Sequence, residues 1–248
     1  MKMNFKPVFR QELRNMLLGC APFFGAMVVI TFGSLLLAGR VSSEITFSGY
    51  GITAAICLFV FGVVQPRPCL RLCAQLGISR RTAFLGNLAA TALTALALAV
   101  GGEALLAAGR ALGGSNVFFA DLYQLFYVNA SVEAQVALSF GQHLSSILLN
   151  TLLALMCYCG GMFFTYLFWR LNKFWTVVAA LAIPVVLNLV PWLIYRNPAA
   201  ARVAGAFFGW LKASAWDLLL AFVLGAAALC AVCWLLVRRA NIKAPTGR

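Results

Sequence analysis

The chain has 248 residues, of which 63% are hydrophobic and only 10% charged, with a mean hydropathy of +0.92; a soluble domain is nearer half apolar and a quarter charged. Nineteen basic and six acidic residues cannot cover a core built from all the rest, which excludes an ordinary water-soluble domain and makes the lipid bilayer the main solvent. The net charge of +13 would suit nucleic acid in a soluble protein, so the position of each charge decides its meaning.

A hydrocarbon core of about 30 Å takes about 20 helical residues. Six stretches meet that length: 17–39, 46–65, 85–109, 144–169, 174–195 and 216–237. Glu103 and Asp217 are the only charges inside them, each near a predicted membrane face. Runs such as 89–100 are apolar or small all round, without the alternation of a membrane β-strand. The expected fold is therefore an all-α polytopic membrane protein, one transmembrane domain over 1–248. A cleaved signal peptide is the rival reading of the first stretch. Its apolar run exceeds the usual h-region of about 7–15 residues, so a retained helix is expected.

The arm 1–16 comes first. From Pro7, the residues Phe9, Leu13, Met16 and Leu17 fall on one helical face, with Arg10, Arg14 and Asn15 away from its centre. This pattern predicts an amphipathic helix lying in the membrane interface before the chain turns inward at Pro22. Between the second and third spans, the segment 66–84 predicts a short helix from Pro68, ended by Gly77, with Ser79 capping the next helix. Leu72, Cys73 and Leu76 make an apolar strip there, flanked by Arg71 and Gln75; composition leaves open whether the strip anchors to lipid or docks into a partner's groove. The segment 110–143 is rich in aromatic residues (Phe118, Phe119, Tyr123, Phe126, Tyr127) and fits an interfacial helix or a cap. In 196–215, Val203, Phe207, Trp210 and Leu211 share one face, as in a half-inserted helix.

Fourteen of the nineteen basic residues collect on one side of this topology: four in the arm, four in 66–84 (Arg67, Arg71, Arg80, Arg81), Arg170 and Lys173, and four in the tail 238–248. The positive-inside rule then makes both termini cytoplasmic. Topology and anionic lipid explain the charge, and no nucleic-acid partner is expected.

The eight cysteines fall in spans or in 66–84, which predicts free thiols packed as small apolar residues. Cys230-x-x-Cys233 has metal-like spacing but no second ligand pair near it in sequence. His143 is the single histidine, at the mouth of the fourth span. Paired intramembrane carboxylates, a nucleophile elbow and a phosphate-binding Gly-rich loop are all missing from the sequence, so no enzyme chemistry, metal or cofactor is expected in this chain. Glu103, Asn150 and Asn188 are the polar residues placed to line a translocation path.

The helix predicted over Phe9 to Met16, followed by Arg71-Leu-Cys-Ala-Gln-Leu-Gly-Ile-Ser-Arg-Arg-Thr-Ala-Phe-Leu-Gly86 leading into the third span, resembles the ABC-2 type transporter permeases, the membrane subunits of bacterial ATP-driven exporters. The second segment is similar to that family's coupling helix followed by Gly, an apolar residue, Ser or Thr, and two basic residues. The resemblance implies that Arg71, Leu72, Cys73, Gln75, Leu76, Gly77, Ser79 and Arg80 dock a separate ATP-binding cassette ATPase subunit, which would bind the ATP and Mg. It also implies a homodimer, or a heterodimer with a related permease, that exports a hydrophobic or amphipathic solute or peptide across the bacterial plasma membrane. Gly51 and Ala55 supply a small-x-x-x-small pair for close packing in such a dimer. The long segment 110–143 departs from the family, where the larger outer element is expected between spans five and six. A non-transporting membrane scaffold or immunity protein, without ATPase coupling, is the alternative.

Overall fold

A computed structural model describes residues 5–38, 45–112, 117–128, 138–171 and 173–238. The tail beyond Arg238, along with Lys2 and Arg40, lies outside them. The helices follow the hydropathy: α1 (Phe5–Ala38), α2 (Tyr50–Val64), α3 (Pro66–Gln75), α4 (Arg80–Leu112), α5 (Phe140–Arg170), α6 (Lys173–Arg196), α7 (Pro198–Ala213) and α8 (Ala215–Arg238). Among the described residues, five helical stretches are long and apolar enough to cross a membrane: Phe5–Leu37, Tyr50–Gln75, Arg80–Leu112, Phe140–Arg170 and Ala215–Arg238. The expected stretch 174–195 is likewise helical, as α6.

The closest packing is between α2 and α5, with α1 laid on α4 and α8 on the far side of α5. Small residues set the α2–α5 spacing. A Cβ at Gly62 would overlap the Tyr158 carbonyl and one at Gly161 would overlap the Phe59 carbonyl, so the two backbones touch where neither residue has a side chain. Thr165 Oγ1 donates to the Val63 carbonyl at 2.6 Å across the same contact. Tyr158 is fully buried, and its hydroxyl donates to Asn87 Oδ1 on α4 at 2.9 Å. Polar side chains in this core are thus paired within the protein, as an apolar surrounding demands.

Four expectations are corrected. The amino-terminal arm is not a separate interfacial helix: α1 runs unbroken for 34 residues with Pro22 inside it. Val8, Glu12, Met16 and Cys20, spaced four apart, are all buried, so packing holds the arm in line with the span while Leu17 is left exposed. The second span does not begin at Thr46. Residues Ile45–Ser48 form strand β1, paired in parallel with β2 (Val117–Ala120) in the register Ile45 to Val117 through Ser48 to Ala120. Gly49, at φ 91°, then turns the chain into α2. Of the two forms expected for the outer segment 110–143, an interfacial helix or a cap, the first is not the one found: its described part holds β2 and a π-helical turn, Gln124–Val128. Finally, Gly51 and Ala55 are buried in this chain's own interior, so that pair does not reach a second copy.

The glycine contact makes a prediction. Gly161→Val forces a side chain against a backbone carbonyl that cannot rotate away, and the expected cost is about 1–3 kcal/mol. Gly25→Ala, where nothing lies within 4 Å of the new Cβ, is expected to hold or slightly raise stability. Thermal unfolding of the two variants in detergent checks the contrast.

Candidate functional site

Two regions carry the residues singled out in the sequence, at opposite ends of the bundle. At the basic end, α3 begins at Pro66, two residues before the expected start, with Pro66 supplying a first-turn residue that needs no donor. Gln65 keeps helical angles (φ −74°, ψ −36°). The segment is therefore a prolongation of α2 past a proline break, not a helix isolated by loops. Its end is a Schellman motif: Gly77, at φ 67°, donates its N–H to the Ala74 carbonyl (3.2 Å), and Ile78 N–H reaches the Cys73 carbonyl (2.8 Å). Ser79 Oγ then accepts from Thr82 N–H at 3.2 Å and caps α4.

The apolar strip of α3 is split by this packing. Cys73 is buried with Cys69 and Leu70, while Leu72 and Leu76 are exposed beside exposed Arg71 and Gln75. Arg80 faces the protein: its Nη1 donates to the carbonyls of Val237 (3.4 Å) and Arg238 (3.1 Å), capping the last turn of α8. Arg67 likewise turns inward to the Thr165 carbonyl at 3.1 Å, and its Nε is buried without a partner among the described residues. Glu12, the one acidic residue at this end among the described residues, is buried and accepts from Gln65 Nε2 at 3.2 Å.

At the other, acidic end, three helices (α2, α4 and α5) and the β2 segment converge on a polar cluster. Glu103 on α4 is 6% exposed. One carboxylate oxygen, Oε1, accepts from Arg110 Nη2 at 3.0 Å and meets His143 Nδ1 of α5 at 2.8 Å. The other, Oε2, meets Ser146 Oγ at 2.9 Å. Ser146 Oγ also stands 2.7 Å from Asp121 Oδ2, and Asn150 Nδ2 donates to that same Asp121 oxygen. Gln124 Oε1 accepts the Asp121 backbone N–H at 3.2 Å and fixes the turn that carries the carboxylate inward. Gly51 of α2 makes room for the cluster, because a Cβ there would overlap Asn150 Oδ1. Burial is the largest influence on Asp121 and pushes its carboxyl above the ordinary aspartate range; the Ser146 and Asn150 hydrogen bonds pull the other way, and the nearby Glu103 adds to the rise.

Glu103 and Asn150 are thus brought into one site, whereas Asn188 is not: it stands on α6, in an open groove with Val185, Leu189 and Trp192. Asp121 and Ser146 were missed by sequence reasoning. The available signal was that Glu103 and His143 sit at the same end of neighbouring spans, which puts an acid and an imidazole face to face.

The thiols pair across helices. Cys159 Sγ of α5 lies 3.2 Å from Cys230 Sγ of α8, and Cys233 Sγ points to the Cys159 carbonyl at 3.7 Å. All eight cysteines are free. Among the described residues no group of three or more His, Cys, Asp or Glu side chains stands ready to hold a metal ion.

Together, the apolar helices and the polar groups satisfied within the protein define a helical multi-pass membrane protein. Comparison with protein-family models, curated proteins and solved structures yields no match.

Removing the Glu103 carboxylate leaves Arg110 and Ser146 without their shared acceptor and the His143 ring without its partner. Glu103→Ala is expected to cost about 1–3 kcal/mol through the stranded donors, and Glu103→Gln less, since the amide oxygen still accepts. Detergent melting curves of the two variants rank them.

Proposed function

We propose that this chain is the membrane-spanning permease subunit of an ABC-2 type exporter in a bacterial plasma membrane. It has six spans, with α6 as the fifth, and both termini in the cytoplasm, because the basic segments gather at that end. It would pair with a second copy or a related permease and with a separate ATP-binding cassette ATPase, and export a hydrophobic or amphipathic solute or peptide.

One observation carries the reading: two leucines, Leu72 and Leu76, stand exposed beside Arg71 and Gln75 on a short helix whose other face is tucked into the bundle. Such a surface suits docking into a partner's groove. Its surroundings suit force transfer. The capped corner at Gly77 and Ser79 leads straight into α4, and Arg80 ties the start of α4 to the end of α8. ATP binding in the partner would move this corner and with it two long helices. The exposed apolar faces of α6 (Val185, Leu189, Trp192) and α7 (Val203, Phe207, Trp210) are left for lipid or the second subunit.

Two measurements test this. Replacing Leu72 and Leu76 with Asp buries charge in an apolar contact, a penalty of several kcal/mol, and should abolish co-purification of a Walker-motif ATPase that accompanies the wild type. The permease itself should stay monodisperse, because both side chains lie outside its core. An ATPase that never accompanies the wild type, or that stays with the double variant, defeats the coupling assignment and favours the scaffold reading. For topology, single cysteines in a cysteine-free background should react with an impermeant maleimide from outside at position 202 and only after permeabilisation at position 75; the opposite pattern refutes the orientation.

A further inference from the structure

The cluster at the acidic end does not balance if both of its carboxyl groups are ionised. Ser146 Oγ lies 2.9 Å from Glu103 Oε2 and 2.7 Å from Asp121 Oδ2. A serine hydroxyl owns one hydrogen. It can make one good hydrogen bond to one carboxylate, and the other contact needs a hydrogen from the acid's side. A second imbalance lies next to the first. Asp121 Oδ1 and Asn150 Oδ1 are both buried without a partner among the described residues, and both lie over Gly51, where a Cβ would stand 3.2 Å from Asp121 Oδ1 and overlap Asn150 Oδ1. Two acceptors side by side lack a hydrogen to share. Exchanging the amide oxygen and nitrogen of Asn150 leaves the shortage in place, because an amide facing a carboxylate supplies a donor to one oxygen only.

A single hydrogen on either acid relieves the first shortage, and one on Asp121 relieves the second, so Asp121 is the group common to both. The surrounding charges agree. Glu103 has the cation, facing the Arg110 guanidinium from its own helix and the His143 ring from α5. Asp121 faces Glu103 from α4, the neutral Ser146 and Asn150 from α5, and Tyr50 from α2.

We propose that Asp121 is a proton-binding site, a neutral carboxylic acid at pH 7 whose proton is held among Ser146 and Asn150 and exchanges with the medium by way of Glu103 and His143. The inference is independent of what the chain exports. Burial, which raises the Asp121 carboxyl, acts in the same direction. The exit route is a chain of contacts ending at His143, whose side chain is 30% exposed. Along it, Asp121 gives its proton to Ser146 Oγ, Ser146 passes its own to Glu103, and Glu103 passes one to His143 Nδ1, a step open to the neutral ring that carries its hydrogen on Nε2. Asp121 ends as a carboxylate and His143 as an imidazolium, with Ser146 and Glu103 restored. The ionised state then has two carboxylates bridged by one hydroxyl in a buried site, where like charges repel strongly. Holding the proton locks the β2 segment onto α5 and α2; losing it loosens that segment.

Infrared difference spectroscopy on the full-length protein in liposomes tests the site. At neutral pH the wild type should show the C=O stretch of a carboxylic acid, which shifts when aspartate is carbon-13 labelled at the carboxyl. The band should survive Glu103→Gln and Asp217→Asn, vanish in Asp121→Asn, and bleach as the pH is raised. Stability gives a second readout. A carboxyl raised in the folded state binds more protons there than in the unfolded chain, from the ordinary aspartate value of about 3.9 up to its folded value. Stability is thus complete below that window and declines as pH rises through it. The wild-type melting temperature should fall across the window more steeply than that of Asp121→Asn, which keeps the shape and neutrality of the acid. If Asp121→Asn does not fold, the labelled wild type and Glu103→Gln still decide. The absence of an aspartic-acid band at neutral pH, or a band lost in Glu103→Gln and kept in Asp121→Asn, overturns the proposal, as does a wild type that gains stability with rising pH in this window.

Discussion

Two glycines with no room for a methyl group, Gly62 on α2 and Gly161 on α5, let the backbones of these helices touch, and the rest of the bundle is arranged around that contact. Lipid offers little drive to bring apolar helices together, because lipid tails are as apolar as leucine; close backbone approach and cross-helix hydrogen bonds have to do so. The face of α2 that reaches Gly62 also carries Gly51, Ala55 and Leu58, all buried. Its line runs from the thiol- and tyrosine-rich centre to the cluster where Asn150 lies over Gly51. With α5 held against α2, its other sides are free to receive α4 through Tyr158 and Asn87, and α8 through Cys159 and Cys230. A displacement between α2 and α5 would therefore be felt in the core and at the acidic end together.

Polar groups in the bundle are handled differently by depth. In the middle, threonines are closed within their own helix, Thr91 Oγ1 on the Asn87 carbonyl and Thr94 on the Ala90 carbonyl, and the cross-helix bond from Tyr158 to Asn87 joins uncharged groups. Toward the ends, charged side chains bridge separate elements, with Arg80 joining α4 to α8 and the Glu103 cluster joining α4, α5, α2 and the β2 segment. Groups that can change charge or contact are kept at the two faces, where water is near.

The sequence made the long helices legible because a run of about 20 apolar residues has few alternatives in lipid. It did not reveal the strands. Ile45–Ser48 and Val117–Ala120 are four residues each, and the first merges into the hydropathy of the following span. The continuity of α1 was hidden by Pro22, which reads as a turn in isolation and is tolerated here because the helix is packed on both sides of it, through Val8 to Cys20 before it and Met27 and Thr31 after it. On α3, the strip of Leu72, Cys73 and Leu76 was drawn from spacing alone. Which part of it points inward depends on Cys69 and Leu70 meeting the bundle, a tertiary fact. The acidic-end cluster was half visible. Glu103 and Asn150 were noticed as polar residues within spans, but Asp121 lies in a connecting segment where an acidic residue looks ordinary, and only the turn after β2 carries it into the bundle. Asn188 was noticed by the same rule as Asn150 and lies elsewhere, since the rule has no information about which helix face a neighbour covers.

The parallel pairing of β1 and β2 sets an order of assembly. Antiparallel strands can meet across a tight turn, but these two run the same way, and the chain between them is the whole of α2, α3 and α4. β1 therefore has no partner while the chain is being made through these helices. It gains one only when α4 has returned to the end of the bundle from which α2 set out. The small sheet is a latch that can close only after the helical hairpin beneath it is complete. Because the turn that follows β2 presents Asp121 to Ser146 and Asn150, the acidic-end cluster is assembled last as well, and a nascent chain whose hairpin has not closed would leave its carboxylates in water.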